Sequence, residues 1–144
     1  MKSFKAYCKD EDGLFFWVKV YRTKKAMQAA LRREHHTWKC DAMCADWVHQ
    51  KWDGKRFKRM NDIGVLFFHH DSMRVGVICH EAFHAAIAWH RFVTDSKALK
   101  LERKKNGTVG DQEEDVSWVA GNLARQVVLG YRNKKARKHV RKAK

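Results

Sequence analysis

His80-Glu81-Ala82-Phe83-His84 sets two imidazoles four residues apart with a carboxylate between them. On a helix, residues four apart lie about 40° apart around the axis and roughly 6 Å along it, so both rings reach one metal ion. Glu81 then flanks that ion and can take a proton from a water that the ion holds, which is the chemistry of metal-assisted hydrolysis. His80 and His84 are therefore the expected zinc ligands and Glu81 the expected general base. The competing reading is an ordinary core helix with two satisfied histidines. Against it, an unpaired glutamate on an apolar helix is expensive to bury without a purpose.

The elements around the motif read as α+β. Apolar runs on both sides, Val75 to Cys79 and Ala85 to Trp89, predict one buried helix. Ile63 to His70 reads as a strand with at least one buried face, leading through the N-cap residues Asp71 and Ser72 into that helix. A strand preceding an active helix can lie at a cleft edge and bind extended peptide by adding a strand, or it can be plain core sheet. Upstream, Ser3 to Cys8 and Leu14 to Tyr21 predict two strands around Asp10-Glu11-Asp12-Gly13, and Thr23 caps a helix to about His35. Ala45 to Trp52 and Lys55 to Arg59 form a second hairpin candidate around Asp53-Gly54. Lys97 to Gly110 reads as a loop. A further helix starts near Gln112 and runs to Leu129 or beyond, with Val116, Val119, Ala120, Leu123 and Val127 as its apolar stripe.

Two histidines leave a catalytic zinc one protein ligand short. His90 stands ten residues after His80, a spacing similar to that of the metzincin pattern, but Ile87 sits where that pattern carries the glycine that lets the helix break and swing the third histidine back. If the helix continues, His90 lies about 15 Å along the axis from His80 and roughly 80° around it. The other source is the acidic group Asp111, Glu113, Glu114 and Asp115, part of which the helix macrodipole explains. Periodicity favours Glu113, which lies nearer the apolar stripe. Cys40 and Cys44, with His35, His36 and His49 nearby, are a weaker candidate for a second zinc and read more simply as small packing residues. Tyr131, His69, His70 and His90 are candidates for stabilising an oxyanion, each with an ordinary structural alternative.

With these residues in view, the chain resembles the gluzincin, thermolysin-like branch of the zincins. Glu114-Asp115-Val116-Ser117-Trp118-Val119-Ala120-Gly121-Asn122-Leu123 looks like that family's ligand helix. The resemblance implies Glu114 as third ligand, with Gly121 as the small residue that lets helices approach. A closer likeness is to the small single-domain metallopeptidase-like proteins encoded by phages and mobile elements, over roughly Ile63 to Val128 and more loosely Ser3 to His36. It implies a minimal zincin-like fold, in which a short mixed sheet packs on the motif helix and a ligand-bearing helix follows. It also implies Zn2+ as cofactor and a peptide or protein as substrate. Trp118 departs from the pattern, standing where thermolysin-like enzymes carry an aspartate that orients a histidine ligand.

Composition supplies the remaining bounds. At 144 residues the chain is long enough for one domain, expected over 1–130 with a basic tail at 131–144. Net charge is +15, from 31 Lys and Arg against 16 Asp and Glu. Tyr131 to Lys144 carries eight of those basic residues and no acid, which favours weak phosphate-mediated nucleic-acid binding or, more plainly, a solubilising tail. A non-catalytic, zinc-stabilised protein that binds nucleic acid or an acidic partner is the alternative function. Early charges and the lack of any long apolar run predict a cytoplasmic protein with no membrane partner. Four cysteines are too few for a disulfide framework in a chain of this size.

Overall fold

A computed structural model describes residues 1–9, 12–34, 36, 39–46, 50–52, 54–94 and 111–142. The order is β1 (Lys2–Tyr7), β2 (Phe15–Tyr21), α1 (Lys24–Arg33), β3 (Ala42–Asp46), β4 (Gln50–Trp52), β5 (Phe57–Arg59), β6 (Asp62–His69), α2 (Val75–Thr94) and α3 (Asp111–Lys142). The α+β reading holds: a mixed four-stranded sheet ordered β1-β2-β6-β3 packs with the helices, and β4 and β5 form a separate hairpin. β1 runs antiparallel to β2, β2 parallel to β6, and β6 antiparallel to β3.

Period-two alternation sorts the side chains onto two faces. Phe16, Val18 and Val20 of β2 join Leu66 and Phe68 of β6 in the core shared with α2 and α3. Val65 and Phe67 point the other way, onto Met27, Ala30 and Leu31 of α1. One irregularity interrupts this order. Phe15 pairs with Asp62 and Phe16 with Gly64, so Ile63 is an extra residue on β6. The bulge lets buried Ile63 share the face of Leu66 and Phe68.

β6 is central and buried along nearly its whole length, so it is not the cleft-edge strand that its position before α2 invited. The edge beside α2 is β3, which the sequence hid. Ala-Met-Cys-Ala-Asp has little intrinsic strand preference and becomes a strand by pairing with β6. Ala45 accordingly belongs to the main sheet and not to the β4–β5 hairpin.

α2 is fixed at both ends. Before it, a 3-10 turn at His70–Ser72 replaces a simple cap, with the Ser72 hydroxyl accepting from His69 N–H at 3.0 Å and donating to the His69 carbonyl at 2.9 Å. His70 Nδ1 meets the Tyr131 hydroxyl at 2.7 Å, tying this turn to α3. In the second half of α2, Trp89 Nε1 donates to Asp12 at 2.8 Å, and the other Asp12 oxygen accepts from Leu14 N–H at 2.8 Å. That carboxylate thus joins α2 to the β1–β2 turn, where Gly13 takes a φ of 65°. Along α3, Val116, Val119, Leu123 and Val127 are buried as the stripe predicted, and the helix continues through the segment expected as a tail. Lower on β1, Gln126 accepts from Tyr7 N–H at 2.9 Å and donates to the Tyr7 carbonyl at 2.8 Å.

Candidate active site

α2 is not buried all round, as its apolar sequence had led one to expect. Ile78, Glu81, Ala82, Ala85, Ala86 and Trp89 face inward, while His80, Phe83 and His84 are exposed. The two imidazoles therefore converge on the open side. Their Nε2 atoms lie 3.1 Å apart, with the rings nearly perpendicular. Two nitrogens bound to one tetrahedral zinc at 2.0–2.1 Å would be separated by about 3.3 Å, so this spacing fits a shared ion. The same spacing fits a hydrogen bond between neutral rings of opposite tautomer.

Glu81 is only 7% exposed and sits beside them on the buried flank. Burial raises its pKa above the ordinary carboxylate value. The backbone N–H of Cys44 on β3 donates to it and opposes that rise, as do His80 and His84. The carboxylate is thus held between the motif helix and the edge strand.

Between α2 and β3 lies a cavity of about 350 Å³. From α2 it is lined by His80, Glu81, His84, Ala88 and Arg91. The other wall is Ala42, Met43, Cys44 and Asp46 of β3, with Cys40 just before the strand. Among the described residues β3 has β6 on one side and no strand on the other, so its outer main chain borders this cavity. Burial pushes both cysteine thiols up. Asp46 and then Glu81 add to the effect at Cys44, and Glu81 and then Asp41 add to it at Cys40.

The structure brings together His80, Glu81 and His84, but it does not bring Glu114 to them. Glu114 is exposed in the first turns of α3, 200° around the helix from buried Val116, and does not line the cavity. Glu113, 60° from Val116, is half-buried and also lies outside the lining. Among the described residues no group of three or more His, Cys, Asp or Glu side chains gathers around one point. Gly121 likewise does not mediate a helix contact, for a Cβ built there meets nothing within 4 Å. Close approach on α3 occurs at Gly130, where a Cβ would run into the Phe4 ring.

His90 is buried at 3% exposure on the continuing helix, with neither ring nitrogen hydrogen-bonded, and it takes no part in the cavity. Tyr131, His69 and His70 also stand outside it. His70 and Tyr131 bond each other, and His69 Nε2 lies 3.7 Å from Asp41. Among the described residues the suggested grouping of Cys40 and Cys44 with His36 does not form: the two cysteines line the same cavity as the motif histidines, and His35 and His49 lie outside the described residues.

Sequence reasoning missed Arg91 and the β3 wall. The signal for Arg91 was present, since it follows His84 by seven residues and shares its helical face. Comparison of the chain with family models, with curated proteins and with solved structures finds no match in any of the three.

Proposed function

We propose that this chain is a zinc-dependent hydrolase acting on peptide bonds, with Glu81 as its general base. The observation that carries the reading is the joint placement of the His80–His84 pair, 3.1 Å apart, and a buried Glu81 on one cavity bounded by an open strand edge. His80 and His84 would hold the ion. The third ligand that the gluzincin resemblance implies is Glu114, with Glu113 as the alternative; neither lines the cavity, so the first turns of α3 would have to approach the pair for either to bind. Zinc at such a site supplies Lewis acidity toward water and the scissile carbonyl.

The protein's own groups account for the rest. Glu81 has its carboxylate oriented by Cys44 N–H on the buried flank of the histidine pair, where it can take up the proton. Apart from the Cys44 N–H that Glu81 holds, the outer main chain of β3 offers donors and acceptors to an extended segment, which would lie along the cavity as an added strand. Ala42 and Ala88 leave room for that segment's side chains.

Glu81→Gln nearly preserves shape but cannot take up the proton. It is expected to keep fold and metal while hydrolysis falls by about 10² to 10⁴-fold. With no substrate identified, the assay compares newly formed peptide termini in a whole proteome treated with wild type or variant. Indistinguishable cleavage by the two zinc-loaded proteins would overturn the peptidase reading and favour the zinc-stabilised binding protein.

A further inference from the structure

Arg91 stands apart from the groups used above. It lies on the exposed side of α2 and lines the cavity, and among the described residues it makes no ion pair or side-chain hydrogen bond. Seven residues bring a helix through 700°, so Arg91 is only about 20° around the axis from His84 and roughly 10 Å further along it. Ala88 lies between them and is too short to obstruct. The remaining charged side chains in the described lining, Glu81 and Asp46, are acids, which leaves Arg91 as the fixed cation among the protein's own groups there.

We infer that Arg91 anchors a substrate carboxylate, making the cavity selective for peptides that carry an acidic side chain or a free C-terminus near the bond held at the histidine pair. The inference rests on the reading that the α2–β3 cavity is the peptide cleft. Away from the ion that the histidine pair would hold, a carboxylate meets Glu81 or Asp46, whereas at Arg91 it meets a planar fork of N–H groups that donates two parallel bonds to it. Extended chain advances about 3.3 Å per residue, so the offset along α2 corresponds to roughly three residues. Arginine leans toward the helix N-terminus and shortens that span to about two.

The test measures binding directly, using the full chain in the Glu81→Gln background so that no peptide is consumed. Calorimetric titrations compare capped hexa-alanine peptides containing one Gln, one Glu or one Lys, together with an uncapped-carboxylate version of the Gln peptide. A charge-assisted pair in a half-enclosed site is expected to favour a carboxylate peptide by about five- to tenfold over the capped Gln peptide. Arg91→Met should abolish that preference, and Arg91→Glu should shift it toward the Lys peptide. Lys25→Met, on exposed α1, should leave it unchanged and so controls for the net charge of +15. Whether the Glu side chain or the free terminus gains more identifies which carboxylate is read.

Equal affinity for all peptides, no binding, or a preference that survives Arg91→Met would each overturn the anchor. Hydrolysis by wild type without carboxylate preference removes the role of Arg91 and leaves the peptidase reading standing. An Arg91-dependent preference without hydrolysis does the reverse.

Discussion

Gly64 holds the wall of the cavity in place, and replacing it with alanine should move that wall. Gly64 pairs with Asp46 at the β6–β3 junction. A Cβ there would overlap the Ala45 carbonyl oxygen and lie 2.6 and 2.8 Å from two ring carbons of Phe16. Neither neighbour can yield easily. The carbonyl belongs to the β3 backbone, and Phe16 is completely buried between β2 and the helices. Overpacking of this kind typically costs 1–3 kcal/mol, and a rigid backbone partner puts Gly64→Ala at the upper end, about 3 kcal/mol. The lower chain entropy of alanine offsets roughly 0.5–1 kcal/mol, leaving about 2 to 2.5 kcal/mol of destabilisation. Gly121→Ala is the matched control. It places a Cβ in open space on an exposed helix face, so only the propensity gain of about 0.5–1 kcal/mol remains, with stabilising sign. Urea unfolding followed by tryptophan fluorescence, in chelator so that metal binding does not contribute, reads both variants. A loss below about 1 kcal/mol for Gly64→Ala would refute the close β3–β6 approach. Destabilisation by Gly121→Ala would instead support the helix contact that the gluzincin resemblance implies.

Elemental analysis of His80→Ala with His84→Ala should show about one equivalent less zinc than wild type, and equal content would remove the site. Zinc affinity in Glu114→Ala and Glu113→Ala decides the third ligand, since a true ligand weakens binding more than the 10 to 100-fold expected of an outer residue. His90→Phe should leave zinc bound and, by removing two buried ring nitrogens without hydrogen bonds, stabilise the fold by about 1 kcal/mol. Metal loss in that variant would return His90 to the ligand set. Truncation after Asn133 keeps the Tyr131–His70 bond while removing seven of the eight basic residues that begin at Arg132. It should weaken nucleic-acid binding and flatten its dependence on salt; an unchanged slope would make the segment merely solubilising.

Periodic and capping signals carried far through this sequence. Thr23 does accept from Ala26 N–H, at 3.2 Å, at the start of α1, and the Val116-to-Val127 stripe faces the core. The convergence of His80, Glu81 and His84 on one cavity was readable because it follows from spacing within one helix. What escaped was set by partners distant in sequence. β3 is a strand through its pairing with β6, and its contact with Glu81 runs through a backbone N–H that any residue at position 44 except proline would supply. Two thiols at the cavity could not be inferred from a Cys40–Cys44 interval that also suits ordinary packing. Glu114 came from likeness alone, and the helix phase that periodicity assigned to Glu113 is the more buried of the two in the structure.

The bonds from Gln126 to Tyr7 give the two borders of the sheet different fates. A primary amide that gives one hydrogen bond to a main-chain carbonyl and takes one from the same residue's N–H imitates a single residue of neighbouring strand, and Gln126 does this at the outer rim of β1. Asn122 extends the cover by donating to the Cys8 carbonyl at 3.1 Å. A stray chain seeking to prolong the sheet there finds its end already occupied, which is how folded proteins discourage stacking into aggregates. At the β3 rim no strand follows among the described residues, and the Cys44 N–H goes to the Glu81 carboxylate, which accepts but cannot donate back as the Gln126 amide does. The sheet is thus closed to an added strand at β1, so that on the proposed reading self-association through the sheet and capture of a foreign peptide would compete for the β3 border.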